Sequence, residues 1–442
     1  MIVGAGRIGH FLSEKLSGEG HDVILVDRDK SKLRRLERDL NILSVHGSGA
    51  SSKILEQGGI DETDLFIAVT DSDEVNLIAC IISKQFNVKT RIARVRNEEF
   101  FWQGSALSKQ LLGIDLLISP DLAMSDEIVR LSARSEAFEI VEFAGGQVVL
   151  LGYAINRANP CINQSLQKLK GLRGVIVAII RDGITIIPRG DDVIKSDDKV
   201  YIVVRKRDVL AVERRFNLHS HTLKNVFIIG GGAIAFLVAR RMERNRIDVR
   251  LVERDPARCE YLTEHLDKTI VLNFDGMEAN ALLEEGIDRA DLVISVTNTD
   301  STNILSSLLA KHHGAKRCIT HLASPDFIPM LGKLGIDVAL SPRQIAANMI
   351  LRYVRAGGSI VSAATLLGGD AEVIEVKVPD REQFRNKKLK DISFPTGSIL
   401  GAIVRYGRVI IPSGDTRLNP YDTLVIFFVK DAMQTVEAFF SR

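Results

Sequence analysis

The chain has 442 residues, with 58 Lys+Arg against 56 Asp+Glu, a formal net charge of +2, 45% hydrophobic and 26% charged residues. That balance argues against a nucleic-acid partner or a strongly charged surface. No apolar run reaches the roughly 20 residues of a spanning helix, and the length exceeds one core, since domains cluster at roughly 100–150 residues.

Met1-Ile2-Val3-Gly4 runs straight into a glycine motif without the basic and apolar regions of a signal peptide, so a cytoplasmic chain is expected. Gly4-Ala5-Gly6-Arg7-Ile8-Gly9 follows a short apolar strand and opens a helical pattern, and Asp27 closes the next apolar run, Val23-Ile24-Leu25-Val26. In that context the glycines have separate tasks: Gly4 for a tight turn, Gly6 for backbone approach to a pyrophosphate, and Gly9 for helix–strand packing. The helix N-terminus then faces the phosphates. A carboxylate at Asp27 suits unmodified ribose hydroxyls and repels a 2′-phosphate, which favours NAD or another adenosine nucleotide over NADP, although Arg28 beside it can hold a further phosphate. With Ile2-Val3 alone before the glycines, the first strand is shorter than the usual five or so residues, as if a few residues were missing ahead of it.

Helical spacing is expected over Ser31–Asp39 and Glu74–Phe86, with further strands at Leu65–Val69 and Leu116–Ile118. Short apolar runs alternating with helices indicate βαβ units on a parallel sheet. Thr70 and Asp71 follow the fourth strand, beside the crevice where nucleotides lie, or else cap the following helix. Arg91, Arg94 and Arg96 follow one another along a single run; Arg94 and Arg96 are expected to face opposite ways, so that one of them reaches phosphate.

A different module follows, with alternating strands over Val175–Ile180 and Val200–Val204 around Arg181-Asp182-Gly183, then Ile187-Pro188-Arg189-Gly190-Asp191 and Asp198. Both modules then recur. Gly230-Gly231-Gly232-Ala233-Ile234-Ala235 echoes the glycine motif and Glu253 stands for Asp27. Thr297 and Asn298 stand for Thr70 and Asp71, and Asn303 for Asn76. Arg405-Tyr406-Gly407, Ile411-Pro412-Ser413-Gly414-Asp415 and Asp422 repeat the second module.

The fold class is therefore α/β: two Rossmann-type, doubly wound parallel-sheet domains at 1–135 and 222–357, each followed by a small α+β domain, at 136–217 and 370–442. A period this long marks duplicated domains, not a solenoid. The small modules bind a small ligand or build an interface, and the sequence does not choose; paired domains of this size often dimerise, which makes an interface the leading expectation.

Neither copy brings a catalytic constellation. His219, His221 and His312-His313 fall in expected linker or loop segments without a nucleophile at recognisable spacing. Cys80, Cys161, Cys259 and Cys318 are far apart with no CxxC pair, so reduced thiols are expected, with no disulfide and no metal site. A dehydrogenase would need a proton-transfer group near a nicotinamide, and only a small module remains to supply it. A scaffold with empty glycine motifs is the third alternative.

The glycine motif with Val26-Asp27, Val45-His46-Gly47-Ser48-Gly49, Ala68-Val69-Thr70-Asp71-Ser72-Asp73-Glu74 with Asn76, Arg91-Ile92-Ala93-Arg94-Val95-Arg96 and the doubled domain order resemble the TrkA family over essentially the whole chain. Its members are cytoplasmic nucleotide-binding subunits of bacterial Trk potassium uptake, whose Rossmann units are called RCK or KTN domains. The resemblance implies a regulatory subunit, not an enzyme, that binds NAD(H), ATP or ADP. It further implies a homotetrameric ring beneath an integral-membrane, TrkH/TrkG-like potassium channel or transporter, peripheral at the inner face of the membrane. It assigns Gly4, Ala5, Gly6, Arg7, Ile8, Asp27, Thr70, Asp71 and Arg94 to the first nucleotide. Gly230, Gly231, Gly232, Ala233, Ile234, Glu253, Thr297 and Asn298 go to the second. Ala235 in place of a glycine, and Cys318-Ile319-Thr320-His321 in place of the arginine series, set the second copy apart in how it would hold phosphate.

Overall fold

The computed structural model describes residues 1–101, 109–133, 136–169, 171–218, 223–324, 327–355, 360–366 and 371–441. His219 and His221, and the module limits drawn at 135, 222, 357, 370 and 442, lie outside them.

The first parallel unit runs β1 (Ile2–Val3), α1 (Arg7–Gly18), β2 (Ile24–Asp27), α2 (Lys30–Asp39), β3 (Leu43–His46) and α3 (Ser52–Gln57). It continues with β4 (Leu65–Ala68), α4 (Asp73–Gln85), β5 (Thr90–Arg94), α5 (Lys109–Leu112), β6 (Leu116–Ile118) and α6 (Pro120–Ser132). The strands lie in the order β3-β2-β1-β4-β5-β6, all parallel, so the order reverses between β1 and β4 and opens a crevice at their carboxyl ends. Apolar runs make such strands because helices cover both faces: Phe66, Ile67 and Ala68 are fully buried. Short as it is, β1 pairs on both sides, Ile2 with Leu25 and with Ile67. Asp29 starts α2 by accepting the Ser31 amide at 2.9 Å, a cap that sets the helix beside the crevice.

The small unit is an antiparallel sheet of β7 (Ala137–Phe143), β8 (Val148–Ala154), β9 (Gly174–Arg181), β10 (Ile184–Ile186) and β11 (Lys199–Arg205), in the order β10-β9-β11-β8-β7, closed by α7 (Val209–Arg215). Asp182 and Gly183 both take positive φ, 52° and 82°, the turn that suits a two-residue hairpin. The repeated Arg and Asp of this module are its staple. Arg181 donates from Nε and Nη2 to the two oxygens of Asp198, each at 2.8 Å, and from Nη2 to the Val193 carbonyl.

The second parallel unit comprises β12 (Asn225–Ile229), α8 (Ala233–Arg244), β13 (Asp248–Glu253), α9 (Pro256–His265), β14 (Ile270–Asn273), α10 (Ala279–Glu284), β15 (Leu292–Ser295), α11 (Asp300–His312), β16 (Cys318–His321), α12 (Ile328–Leu331), β17 (Val338–Leu340) and α13 (Pro342–Arg355), with the same strand order. His312 thus ends a helix and His313 caps it, where a loop was expected, because the apolar spacing of α11 continues to Ala310, which is fully buried. The last sheet is β18 (Ile360–Thr365), β19 (Ala371–Lys377), β20 (Ser398–Arg405), β21 (Arg408–Ile410) and β22 (Thr423–Val429), followed by α14 (Met433–Ser441). Arg405 grips Asp422 as Arg181 grips Asp198, again with two bonds of 2.8 Å.

Two exchanges join the halves. Met124, Ile128 and Leu131 of α6 pack into one core with Ile234, Val238 and Met242 of α8, while Ala346, Ala347, Ile350 and Leu351 of α13 pack with Leu12 and Leu16 of α1. Each crossover helix thus completes the other half's core. The small sheets also pack on each other: Leu150, Tyr201 and Val203 share a core with Val373, Ala402 and Phe427, and a Cβ on Gly401 would stand 2.7 Å from Val203. Arg317, 7% exposed just ahead of β16, ties the second half to the first by donating to the carbonyls of Leu131 at 2.8 Å and Ala137 at 2.5 Å. Burial lowers its pKa to about 10, so the group at the end of α6 is still a cation at neutral pH, where a helix C-terminus favours one.

Candidate nucleotide clefts

In the first crevice Gly4 has φ +110°, and a Cβ there would stand 2.9 Å from the Thr70 nitrogen, so the glycine turn and the end of β4 are in direct backbone contact. Gly6 is the cap residue of α1 and has no side chain to satisfy the amides of the first turn, which leaves the backbone of Arg7 and Ile8 as donors for an anion. Space for a ligand lies over Gly6, where an added Cβ would meet nothing within 4 Å. Asp27 accepts the Ala5 amide at 2.5 Å on one oxygen and the Asp29 amide at 2.7 Å on the other. Its carboxylate is thereby held at the rim with lone pairs left for ribose hydroxyls.

The floor is built by Asn76, fully buried, whose Oδ1 accepts from the Thr70 amide and hydroxyl and whose Nδ2 donates to the carbonyls of Thr70 and Arg94. Arg94 donates to the Thr70 carbonyl at 3.2 Å and to Asp71 at 2.9 Å, and Arg96 reaches the same Asp71 oxygen at 3.2 Å. The two guanidiniums therefore converge, against the expectation that they face opposite ways, because residues two apart along an extended strand share a face. Just beyond the end of β5 at Arg94, the Arg96 amide donates to Asp73 at 2.9 Å. The Arg94 guanidinium holds the Asp71 carboxyl below the usual carboxylate range. The cap of α4 is Ser72, which accepts the Val75 amide, so Thr70 and Asp71 face the crevice contacts.

The second crevice repeats this mould. Glu253 accepts the Gly231 amide at 2.6 Å and the Asp255 amide at 2.9 Å, and Asn303 makes the corresponding four bonds, to Thr297 and to the His321 carbonyl. Gly230, Gly231, Gly232, Glu253, Thr297 and Asn298 line a cleft of about 430 Å³. Ala233 and Ile234 open α8 behind Gly232, its cap residue. Ala235 is fully buried in the core below the cleft, so its methyl group is spent on packing and does not bear on phosphate.

Charge is where the clefts differ. His321 occupies the place of Arg94 and keeps its contact, Nδ1 lying 3.3 Å from the Thr297 carbonyl, but burial lowers its pKa and disfavours the charged ring. Sequence reasoning missed Arg258, which donates from Nε to the Gly231 carbonyl at 2.6 Å and lies 4.5 Å from the Tyr261 ring centre. It also missed Asp275, Gly276, Met277 and Thr302 in the lining. The repeat itself was the available signal, since Gly276 matches Gly49 of the first copy.

Two dinucleotide-fold clefts, each joined to a small antiparallel domain, define a tandem, duplicated nucleotide-fold architecture. The TrkA-N domain model matches residues 1–120 and 226–342, and the TrkA-C domain model matches 150–217 and 373–441. The Trk system potassium uptake protein TrkA of Halomonas elongata is 35% identical over 449 residues, covering 100% of this chain and 98% of that protein. A TrkA homolog of Methanosarcina mazei is 34% identical over 450 residues, covering 100% and 99%. Among solved structures, the GsuK RCK domain superimposes with a TM-score of 0.63 at 20% identity, covering 100% of this chain and 94% of that one. The GsuK channel bound to NAD gives 0.63 at 19%, covering 100% and 78%. The chain belongs to the TrkA family, and its fold is that of tandem RCK domains.

Proposed function

We propose that the chain is the nucleotide-sensing regulatory subunit of a potassium uptake system, assembled as a homotetrameric ring on an integral-membrane potassium channel or transporter of the TrkH/TrkG type. In this reading it sits peripherally at the cytoplasmic face and gates potassium flow in response to ATP/ADP and NAD(H). The observation that carries the reading is the doubled cradle: an acidic rim residue locked by two backbone amides, an uncapped helix start and a buried asparagine floor, built twice. The relatives are named for potassium uptake, and a structural neighbour of the same fold was solved with NAD and another with ADP. The family is not one of oxidoreductases, and no helix among the described residues is long and apolar enough to cross a membrane.

A ligand shifts a conformational equilibrium only if it binds the two states unequally. The exchanged helices supply the mechanical link: α6 and α13 each belong to the other half's core, so a change at one crevice is carried to both. Calorimetric titration with ATP, ADP, NADH and NADPH, alongside the oligomeric mass, tests the reading. Binding of ATP and NADH but not NADPH, by a tetramer, is expected. Asp27→Ala is expected to weaken adenosine ligands at the first cleft about tenfold to a hundredfold, the worth of hydrogen bonds to a charged group. Binding of NADPH alone would revive a redox role.

A further inference from the structure

We infer that the two clefts divide the ligands between them, the first selecting a nucleoside polyphosphate and the second a dinucleotide; this rests on the nucleotide-sensing reading above. In a Rossmann crevice both ligand classes place adenosine and the first two phosphates alike, on the ribose carboxylate and the glycine turn. They differ in what comes next. A triphosphate ends in a further multiply charged group, whereas a dinucleotide continues into an uncharged ribose. That next segment meets the end of the strand pair beyond the switch point, β4–β5 in the first half and β15–β16 in the second.

At this place the halves carry different side chains. The first presents Arg94 and Arg96 gathered on Asp71, whose side chain is 82% exposed. A terminal phosphate can displace so exposed a carboxylate and take over both guanidiniums in bidentate fashion, and the more charge it carries the better it competes. The second presents Asn298 for Asp71, His321 for Arg94 and Ala323 for Arg96, with Arg343 turned back onto the Ala323 carbonyl at 2.6 Å rather than onto an exposed carboxylate. Its wall places Thr302 where the first half has Val75, a further hydroxyl group beside those of Thr297 and Thr299 that matches a sugar or a carboxamide. Arg258 sits on the glycine turn through the Gly231 carbonyl, and Arg254 lines the cleft next to Glu253, both on the part of the ligand common to both classes.

The backbone offers clean probes. At Gly6 and at Gly232 an added Cβ meets nothing within 4 Å, and their φ values of −69° and −67° suit any side chain, so Gly6→Val and Gly232→Val are each expected to occlude one cleft, with a circular-dichroism spectrum and oligomeric mass like the wild type's as the check on folding. With ATP and NADH as probes in calorimetry, Gly6→Val is expected to keep NADH binding and weaken ATP by about tenfold or more, the worth of the lost charge-assisted contacts. Gly232→Val is expected to do the reverse. Grafting the charges onto the blocked chain, with Asn298→Asp, His321→Arg and Ala323→Arg on Gly6→Val, is expected to restore ATP binding. Equal affinity for ATP and NADH at each isolated cleft, or a graft that leaves ATP binding unchanged, overturns the division. A wild-type chain that binds neither nucleotide overturns the nucleotide-sensing reading itself.

Discussion

Asn76 and Asn303 stand in matching places at the floors of the two clefts and make the same four bonds, whereas Arg94 and His321, a few ångströms away, keep only a shared contact to a threonine carbonyl. The duplication separates two kinds of residue. Groups that hold the strand ends in place are the same in both halves, because the backbone mould is the same. Groups that would meet the distal part of a ligand have diverged, as if each half had been free to change its charge once its mould was secured. A comparison made inside one chain, with solvent, temperature and length held equal, makes these roles measurable.

The largest effect is expected at a pair that has not diverged. Asp198 and Asp422 are 1% and 2% exposed, and each is held by one arginine through two bonds of 2.8 Å. Removing one partner of a buried ion pair leaves an uncompensated charge and costs about 3–5 kcal/mol. Arg181→Ala and Arg405→Ala are therefore expected to destabilise their own small sheets by that amount and to similar extents, read as loss of amide-exchange protection in β9–β11 and β20–β22. A loss below about 1 kcal/mol, the range of exposed pairs, would show that the repeat preserves the pair for something other than stability.

A smaller and asymmetric effect is expected where the glycine motifs part company. A Cβ on Gly9 would stand 1.8 Å from the Gly4 carbonyl oxygen, so α1 lies close against its turn, whereas α8 carries Ala235, fully buried, in the corresponding place. Gly9→Ala forces α1 outward and is expected to cost about 1–3 kcal/mol, the range of overpacked cores. The opposite change, Ala235→Gly, adds backbone freedom to a helix and is expected to cost about 0.5–1 kcal/mol. Local exchange protection of α1 and α8 measures both. Equal losses would mean that the first turn relaxes as readily as the second.

What the sequence could carry follows the same division. The glycine spacing, the acidic strand ends at Asp27 and Glu253 and the repeated Arg-Asp-Gly module were readable because they depend on local backbone geometry and recur in register. The helix exchange was not, since nothing in the periodicity of α6 says which half its apolar face covers. Arg94 and Arg96 were assigned to opposite faces although residues two apart along a strand share one, and their common partner Asp71 lies more than twenty residues away in sequence. Arg317 gave no signal at all, as its partners, Leu131 and Ala137, lie some 180 residues away.

The finest distinction between the halves is one of protonation, and it is expected to be small and pH-dependent. Burial is the main cause of the lowered His321 pKa; the bond to the Thr297 carbonyl and the charges of Asp300 and Asp121 pull the other way and are outweighed. A histidine whose folded pKa lies below its unfolded value near 6.5 adds stability that is present above that value and is lost as the pH falls through the folded pKa, because the unfolded chain then takes up the proton first. The His321 ring resonance is thus expected to titrate below 6.5 in the folded chain, and His321→Gln to flatten the decline in stability over the same window. Titration at or above 6.5 would mean that the carbonyl and the carboxylates outweigh burial. The second cleft would then carry a positive charge near neutrality at the place where the first carries Arg94, and the two halves would be less different than their residues imply.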